Sequence, residues 1–203
     1  MIELKQLSIA RGNKEICADL SVVISKGACC LVTGPNGSGK STLLQALLGI
    51  VKPSSGQILI DDYDVQQLSR ADKQILIQST GIALQEFSLP SFGTVRHFLQ
   101  EAGCAASATA ELLSFLEFQS QAEAQLDQLS TSEKKRLYLG SSLARQPRLV
   151  MWDEPFSELD ERWKGKFLKV LEELKKAGTT IIITSFSASA FDRLQPDAIL
   201  SLE

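Results

Sequence analysis

The stretch GPNGSGKST, residues 34–42, decides the fold because it joins two segments of different periodicity. The apolar run ACCLVTG ends in it and is typical of a buried strand, whereas KSTLLQALLGI begins in it and has helical spacing. A strand, a glycine-rich loop and a helix in this order are the setting in which the pattern G-x-x-x-x-G-K-[ST] binds phosphate. The alternative, a plain glycine-rich turn, is disfavoured by this setting. The chain is therefore predicted to contain a phosphate-binding loop.

The predicted loop implies roles for its backbone and side chains. Successive backbone N–H groups would surround phosphate oxygens, and the following helix would add its partial positive charge. Lys40 would reach the outer phosphates of a nucleotide, and the Ser41 hydroxyl would ligate Mg²⁺. The candidate nucleotide-binding residues are Gly34, Pro35, Asn36, Gly37, Ser38, Gly39, Lys40, Ser41 and Thr42.

A second segment supplies the carboxylates that a nucleoside triphosphate site requires. In LVMWDE, Asp153 ends a buried apolar strand, where it can hold the metal shell. Glu154 follows directly and is placed to orient or deprotonate an attacking water, as the catalytic residue. An Asp-Glu pair alone would indicate a solvated loop. Together with the phosphate loop, it indicates nucleotide hydrolysis.

Composition narrows the class of protein further. The chain has 203 residues, 44% of them hydrophobic, which suits one domain over residues 1–203 with a substantial core. A net charge of -3 offers no broad basic field, so nucleic acid is not an expected partner. The N-terminus lacks a signal-peptide pattern, and no apolar run reaches the roughly 18 residues that span a bilayer. We expect a cytoplasmic protein that meets a membrane only through a partner.

The cysteines indicate no metal centre. Cys17, Cys29, Cys30 and Cys104 lack metal-ligand spacing. We predict four core thiols in a reducing compartment, with Cys29 and Cys30 on opposite faces of a buried strand because they are adjacent.

The order of periodic segments predicts an α/β fold of the P-loop NTPase class. Alternation from Ile2 to Ile24 indicates an N-terminal antiparallel β subdomain. Helix starts are predicted at Ser69 and near Glu161. Strands and helices alternate on both sides of a helical stretch, so we expect a mainly parallel sheet flanked by helices, with an inserted helical subdomain at about 88–145.

With these pieces in order, the chain resembles the nucleotide-binding subunits of ABC transporters over nearly its whole length. The long separation of Lys40 from Asp153 fits the helical insertion of that family. Gln85 in IALQEF resembles the family's Q-loop glutamine, and Ser157 to Asp160 resemble its D-loop. Without the resemblance, Gln85 is a surface glutamine and Asp160 is the N-cap of the next helix.

The resemblance implies cofactors and partners. ATP and Mg²⁺ would bind, with the metal held by Ser41, Gln85 and Asp153. Family sites form between two subunits, so the chain would form a homodimer, or a heterodimer with another ABC ATPase subunit. An integral membrane permease would hold the assembly at the inner face of the cell membrane.

Two departures concern the chain's own nucleotide site. Ser185 stands where the family has a switch histidine, and the single histidine, His97, is far upstream and predicted to be an exposed helical residue. A Ser185 hydroxyl could still bond a phosphate or a water. Arg11 stands near the position of an aromatic residue that stacks on adenine in many members; it would either stack on the base or be a solvated turn residue.

A third departure concerns the signature that the family presents to the opposite subunit, usually LSGGQ. Leu129 and Ser130 are retained, but Thr131 and Ser132 replace glycines and Glu133 brings a negative charge near a polyanion. Ser130 and Glu133 also form the sequence pattern of a capping box at the start of a helix. Both interpretations can hold at once.

Two predictions of exposure concern the helical insertion. The basic run that follows the signature consists of Lys134, Lys135 and Arg136. It is predicted to be a charged, exposed helix face; the alternative is that these cations partly offset the negative charge of Glu133. Three apolar residues are predicted to be subdomain core, with a groove for a short helix of a membrane partner as the alternative: Phe87, Leu89 and Phe92.

Two functional hypotheses remain. The first is an ATPase subunit that dimerises around MgATP and drives a permease, slowed by the departures. The second is a nucleotide-binding regulatory or structural subunit that hydrolyses little. A soluble ABC-type protein acting on DNA or ribosomes and a small phosphate-loop kinase are disfavoured. DEPF resembles haem-exporter subunits, and IALQEFSLPSFGTV resembles cell-division and lipoprotein-release subunits, so the cargo stays open.

Overall fold

A computed structural model describes residues 1–12 and 14–202. Within them two sheets are joined by helices, which confirms the predicted P-loop NTPase architecture. The side chain of Arg11, for which base stacking was one prediction, lies outside the described part of the chain.

The first sheet is the predicted antiparallel one. Its order is β2-β1-β4-β5, with neighbours antiparallel throughout. The strands are β1 (Ile2–Arg11), β2 (Lys14–Ile24), β4 (Ser55–Ile60) and β5 (Tyr63–Asp64). The strand β5 was not predicted, because two residues are too few to show a period.

The second sheet is parallel and brings the carboxyl ends of its strands to one edge. Its order is β6-β7-β8-β3-β9, and every described pairing is parallel. In register, Thr33 pairs with Ser185 and Asp153 pairs with Thr184. The strands are β3 (Cys29–Thr33), β6 (Thr80–Ala83), β7 (Leu149–Asp153), β8 (Thr180–Ser185) and β9 (Ala198–Ser201).

Four of the described α-helices begin at a side-chain N-cap: Ser69, Thr94, Ser130 and Asp160. Ser69 accepts from the N–H of Asp72 and Asp160 from that of Trp163, so the predicted starts of α2 and α6 are confirmed. Three helices fall within the predicted insertion. The helices are α1 (Lys40–Leu47), α2 (Arg70–Ser79), α3 (Val95–Glu101), α4 (Ala106–Phe115), α5 (Thr131–Ser142) and α6 (Glu161–Lys176), with 3₁₀ turns at Gln119–Gln121, Leu126–Gln128 and Ala188–Leu194.

The parallel sheet separates two apolar cores. Cys29 packs in the core on the side of α5 and α6, and Cys30 in the core on the side of α1. This confirms that adjacent residues of β3 face opposite ways. Burial raises the pKa of Cys29 to about 11 and that of Cys30 to about 12, so both thiols stay protonated. Cys104 is also buried, but Cys17 is only half-buried, so the prediction of four core thiols is wrong there.

The exposure predicted for the basic run of α5 is wrong. Lys135 is fully buried, and only 13% of the Arg136 side chain is exposed. The Arg136 guanidinium lies 4.5 Å from the ring centre of Phe118 and 4.8 Å from that of Trp163. Aromatic faces and aliphatic stems let such cations enter a core, which charge alone does not predict.

The prediction for the apolar residues that follow Gln85 is partly wrong. Phe92 is 82% exposed and cannot be core. Leu89 packs against the core, and the Phe87 ring stacks on that of Tyr138 with 4.4 Å between ring centres. The segment is therefore half core and half surface.

Candidate nucleotide site

Glycine is required at two positions of the phosphate loop. Gly39 has a φ of 102°, and a Cβ there would lie 2.0 Å from Cγ2 of Ile16. Gly34 has a φ of 153°, and its Cβ would lie 2.2 Å from the carbonyl oxygen of Leu202. Such contacts and backbone angles exclude larger residues. The loop therefore has the close backbone packing that phosphate binding uses.

Lys40 is folded back across the loop. Its side chain is 6% exposed, and Nζ donates to the carbonyl oxygens of Gly34 at 2.8 Å and Pro35 at 3.2 Å. Nζ also lies 3.3 Å from Oε1 of Glu154. This ion pair joins the phosphate loop to the carboxyl end of β7, although the two segments are far apart in sequence.

One side chain of the loop has unused hydrogen-bonding capacity. The Ser38 hydroxyl is buried and has no hydrogen-bond partner among the described residues. A buried hydroxyl without a partner is costly, so such an atom indicates a missing ligand. Together with the Lys40 ammonium and the N-terminus of α1, it fits a phosphate group.

A threonine of β8 bonds the carboxylate of Asp153 and the backbone of Glu154. The Thr184 hydroxyl donates to Oδ1 of Asp153 and accepts from the backbone N–H of Glu154 at 3.0 Å. Asp153 is 2% exposed and Glu154 8% exposed. Burial raises the pKa of Glu154, with Lys40 opposing and Asp153 reinforcing the shift. A raised pKa brings a carboxylate nearer to the value that suits a general base. No sequence motif pointed to Thr184.

Gln85 lies beside the phosphate loop, as the resemblance implied. It lines a cavity of about 440 Å³ together with Ser41 and Lys40. Ile16 from β2 lines the same cavity and covers Gly39; no motif pointed to it, because its role depends on β2 packing against the loop. The remaining lining residues are Asn36, Gly37, Gly39 and Thr42.

The residues predicted to ligate the metal all have oxygen donors. Mg²⁺ prefers oxygen ligands, which a serine hydroxyl, an amide carbonyl and a carboxylate supply. Ser41 and Gln85 line one cavity, and Asp153 is adjacent to Glu154, which contacts Lys40 of the loop. The donor set therefore fits Mg²⁺ bound to a nucleotide.

Ser185 is engaged within its own turn. Its hydroxyl donates to the carbonyl oxygen of Ser187 at 2.9 Å and accepts from the N–H of Ser187 at 3.1 Å. Ser185 lines a cavity of about 290 Å³ with Glu154 and Ser157, next to Phe186, which is 72% exposed. The hydroxyl shares this cavity with Glu154, but its single donor is used within the turn.

The D-loop residues also have local partners. The Ser157 hydroxyl donates to the carbonyl oxygen of Glu154 at 3.0 Å, so the D-loop is tied to the segment that carries Glu154. Oδ1 of Asp160 accepts from the N–H of Trp163 at 2.8 Å, which confirms the N-cap interpretation.

The altered signature forms the predicted capping box. The Ser130 hydroxyl accepts from the N–H of Glu133 at 3.3 Å and donates to Oε2 of Glu133 at 2.7 Å. The Ser130 N–H donates to the same Oε2 at 2.9 Å. The Ser130 hydroxyl holds the pKa of Glu133 below its ordinary value. Thr131 and Ser132 form the first turn of α5, so a carboxylate of the chain itself occupies the start of this helix.

Removing this cap should lower stability. We expect Ser130→Ala to reduce the free energy of unfolding by about 1 kcal/mol, because the N–H of Glu133 loses its acceptor. The melting temperature should fall by roughly 2–4 °C. Calorimetry with Ser141→Ala, a matched serine on the same helix, provides the control; equal melting temperatures for the two variants would contradict the assignment.

The fold and this site define a P-loop nucleotide-binding cassette with an antiparallel β subdomain and a helical insertion. A sequence model of the ABC transporter family matches residues 17–157, more than half of the chain. The chain therefore belongs to the ABC transporter family and is one of its ATP-binding cassettes.

Several relatives are similar over most of this chain. The methionine import ATP-binding protein MetN of Carboxydothermus hydrogenoformans is 33% identical over 90% of this chain and 58% of its own length. The cell division ATP-binding protein FtsE of Bacillus subtilis is 29% identical over 98% of this chain and 91% of its own. The glutamine transport ATP-binding protein GlnQ of Escherichia coli is 28% identical over 91% of this chain and 80% of its own length. The chain thus spans only part of some relatives.

Solved structures support the fold. A dimeric post-hydrolysis structure of the ATP-binding cassette MJ0796 bound to ADP and Pi has a TM-score of 0.87 and 22% identity, covering 100% of this chain and 94% of that chain. A bacterial Atm1-family ABC exporter with ATP bound has a TM-score of 0.86 and 22% identity, covering 100% of this chain and 36% of that chain. In the described part of our chain, no helix is both long and apolar enough to cross a bilayer.

Proposed function

We propose that this cassette is an ATP-hydrolysing subunit of an ABC transporter complex, which dimerises around MgATP and drives a separate membrane permease. The observation that carries the proposal is the Lys40–Glu154 ion pair, because it assembles the phosphate loop and the candidate base in one buried site. The relatives are all named as ATP-binding proteins, which supports ATP as the nucleotide. Their names refer to methionine import, glutamine transport and cell division, so the cargo of this chain stays open.

Each part of the site has a task in this proposal. Backbone N–H groups of the loop, the Ser38 hydroxyl and Lys40 bind the outer phosphates. Ser41, Gln85 and Asp153 hold Mg²⁺, which supplies charge neutralisation when bound. Glu154 orients the attacking water and accepts its proton.

Nucleotide binding would also break the ion pair of Glu154 and change its pKa. Lys40 now bonds two loop carbonyls and pairs with Glu154. Phosphate oxygens would take over this ammonium, because they carry more charge than carbonyl oxygens. Glu154 would then lose the cation that opposes the effect of burial on its pKa. The arrival of the substrate would therefore release the base and strengthen it.

The second candidate function is a nucleotide-binding regulatory or structural subunit with little hydrolysis. Two observations favour it: the carboxylate of Glu133 occupies the start of the signature helix, and the Ser185 hydroxyl is bonded within its own turn. In a homodimer both sites would meet this altered signature. A heterodimer with a cassette that carries LSGGQ would keep one complete site.

A cavity between the helical insertion and the Gln85 segment suits a protein partner. It has a volume of about 550 Å³ and is lined by Phe87, Leu89, Leu126, Thr131 and Glu158, among others. We propose that it receives a short helix of the permease, the alternative that sequence analysis kept for this segment. The cassette would then lie on the cytoplasmic face of the membrane, held there by the permease.

The binding step is tested at Lys40. We expect Lys40→Ala to weaken MgATP binding by at least about 100-fold, because a desolvated, charge-assisted contact to phosphate is lost. Equilibrium binding with a fluorescent ATP analogue measures the change. Lys52→Ala, at an exposed lysine, is the control. Equal affinity of both variants, with unchanged melting temperatures, would contradict the proposed function.

A further inference from the structure

The side chain of Lys135 is buried in α5 without a role in the site described above. It is 0% exposed, and its Nζ has no hydrogen-bond partner among the described residues. An ammonium has three donors and is strongly hydrated in water, so a buried one normally has an anionic or carbonyl partner. Lys135 therefore has unused capacity for a partner.

The surroundings of Lys135 come from loops of the nucleotide site. Nζ lies 5.4 Å from the ring centre of Phe87, within the range of a cation–π contact. Burial lowers the pKa of Lys135, and the negative charges of Glu158, Asp153 and Glu154 oppose that shift. Phe87 belongs to the segment that follows Gln85, and Glu158 belongs to the D-loop. The ammonium is thus set in the field of both loops.

Tyr138 extends this contact along the same face of α5. It lies three residues after Lys135, so the two side chains are neighbours on the helix surface. The Tyr138 ring stacks on Phe87, and its hydroxyl oxygen accepts from the N–H of Leu84 at 3.1 Å. The helix that begins at the signature therefore contacts the chain on both sides of Gln85.

Glu158 lies at the surface of the D-loop. It is exposed and lines the same cavity as Phe87. Its φ of 67° is in the left-handed region, which is unfavourable for a residue other than glycine. An exposed side chain can change rotamer without disturbing the core.

We propose that Lys135 is a positioning residue for hydrolysis, whose ammonium forms a direct ion pair with Glu158 when nucleotide draws the site together. The pair fixes the D-loop against the helix that begins at the signature, and through Phe87 it also fixes the segment that carries Gln85. Lys135 touches no substrate and acts through these neighbours. The inference rests on the proposed ATPase function.

Lys135→Met separates this role from a structural one. Methionine fills similar space without charge, so removal of a buried, unpaired ammonium should leave the melting temperature unchanged or raise it. We expect kcat to fall about tenfold with KM unchanged, the size of effect that a coupled pair produces. Glu158→Gln should lose the same factor, and the double variant should lose no more than either single one.

The controls use the purified full chain, alone and with its co-purified permease. Lys52→Met removes an exposed lysine outside the site and should leave kcat unchanged. An unchanged kcat in Lys135→Met, or losses that multiply in the double variant, would overturn the proposal.

A second measurement does not depend on turnover. Hydrogen exchange of the D-loop peptide over 155–160 should slow on addition of MgATP in the wild type and not in Lys135→Met. Equal slowing in both would overturn the role of Lys135. If the wild type itself binds no MgATP, the proposed function fails instead, so the two failures are distinguishable.

Discussion

Glu154→Gln is expected to reduce the rate of ATP hydrolysis by at least about 100-fold, the range that loss of a general base produces. Glutamine has the same shape but cannot accept the proton of an attacking water. MgATP affinity should be retained or increased, because Lys40 no longer pairs with a carboxylate and the γ-phosphate no longer faces one. Phosphate release under saturating MgATP and equilibrium binding measure the two effects.

The wild-type rate should also depend on pH through Glu154. Burial raises the pKa of this carboxyl above its ordinary value. The base is active when ionised, so the rate should fall as the pH drops through that raised pKa, and Glu154→Gln should lose this dependence. Glu161→Gln, at a side chain that is 89% exposed, is the matched control and should behave as wild type. An unchanged rate in Glu154→Gln would remove Glu154 as the base, whereas a negligible rate in the wild type itself would favour the second candidate function.

The parts of the site that were predictable from sequence depend on local spacing. The phosphate loop requires glycine where φ is positive, and the Ser130–Glu133 box requires only a separation of three residues. The Asp160 cap is local in the same way. Because such contacts are decided within one turn of chain, a sequence pattern is enough to identify them.

The parts that were not predictable depend on which distant segments meet. Thr184 holds Asp153 and Glu154 only because β8 lies next to β7 in the sheet. Ile16 reaches Gly39 only because β2 packs on the phosphate loop. A charged run is usually solvated, and Lys135 departs from that rule because it is buried beside the ring of Phe87, which is distant in sequence. Long-range packing outweighs local composition at all three places.

Restoring the signature with Thr131→Gly, Ser132→Gly and Glu133→Gln together should raise steady ATP hydrolysis by the homodimer at least about tenfold, because one stabiliser of transition-state charge commonly changes the rate by 10² to 10³. In the wild type, the Glu133 carboxylate accepts from both the N–H and the hydroxyl of Ser130. Those donors are then unavailable to the phosphate of an opposite subunit, and the negative charge repels it. The two glycines would also remove the side chains that keep the signature backbone away from the phosphate of the opposite subunit.

Stability distinguishes this gain from a general improvement of the protein. The triple variant loses the charged half of its capping box and gains two helical glycines, so its melting temperature should fall while its rate rises. Adding Lys40→Ala should abolish the gain, because the restored signature acts only on nucleotide bound at a phosphate loop. A verified homodimer that binds MgATP but hydrolyses it no faster would show that the altered signature is not what limits turnover. The turn at Ser185 would then be the next element to change. The Ser185 hydroxyl is already bonded to Ser187, in the cavity that Glu154 also lines.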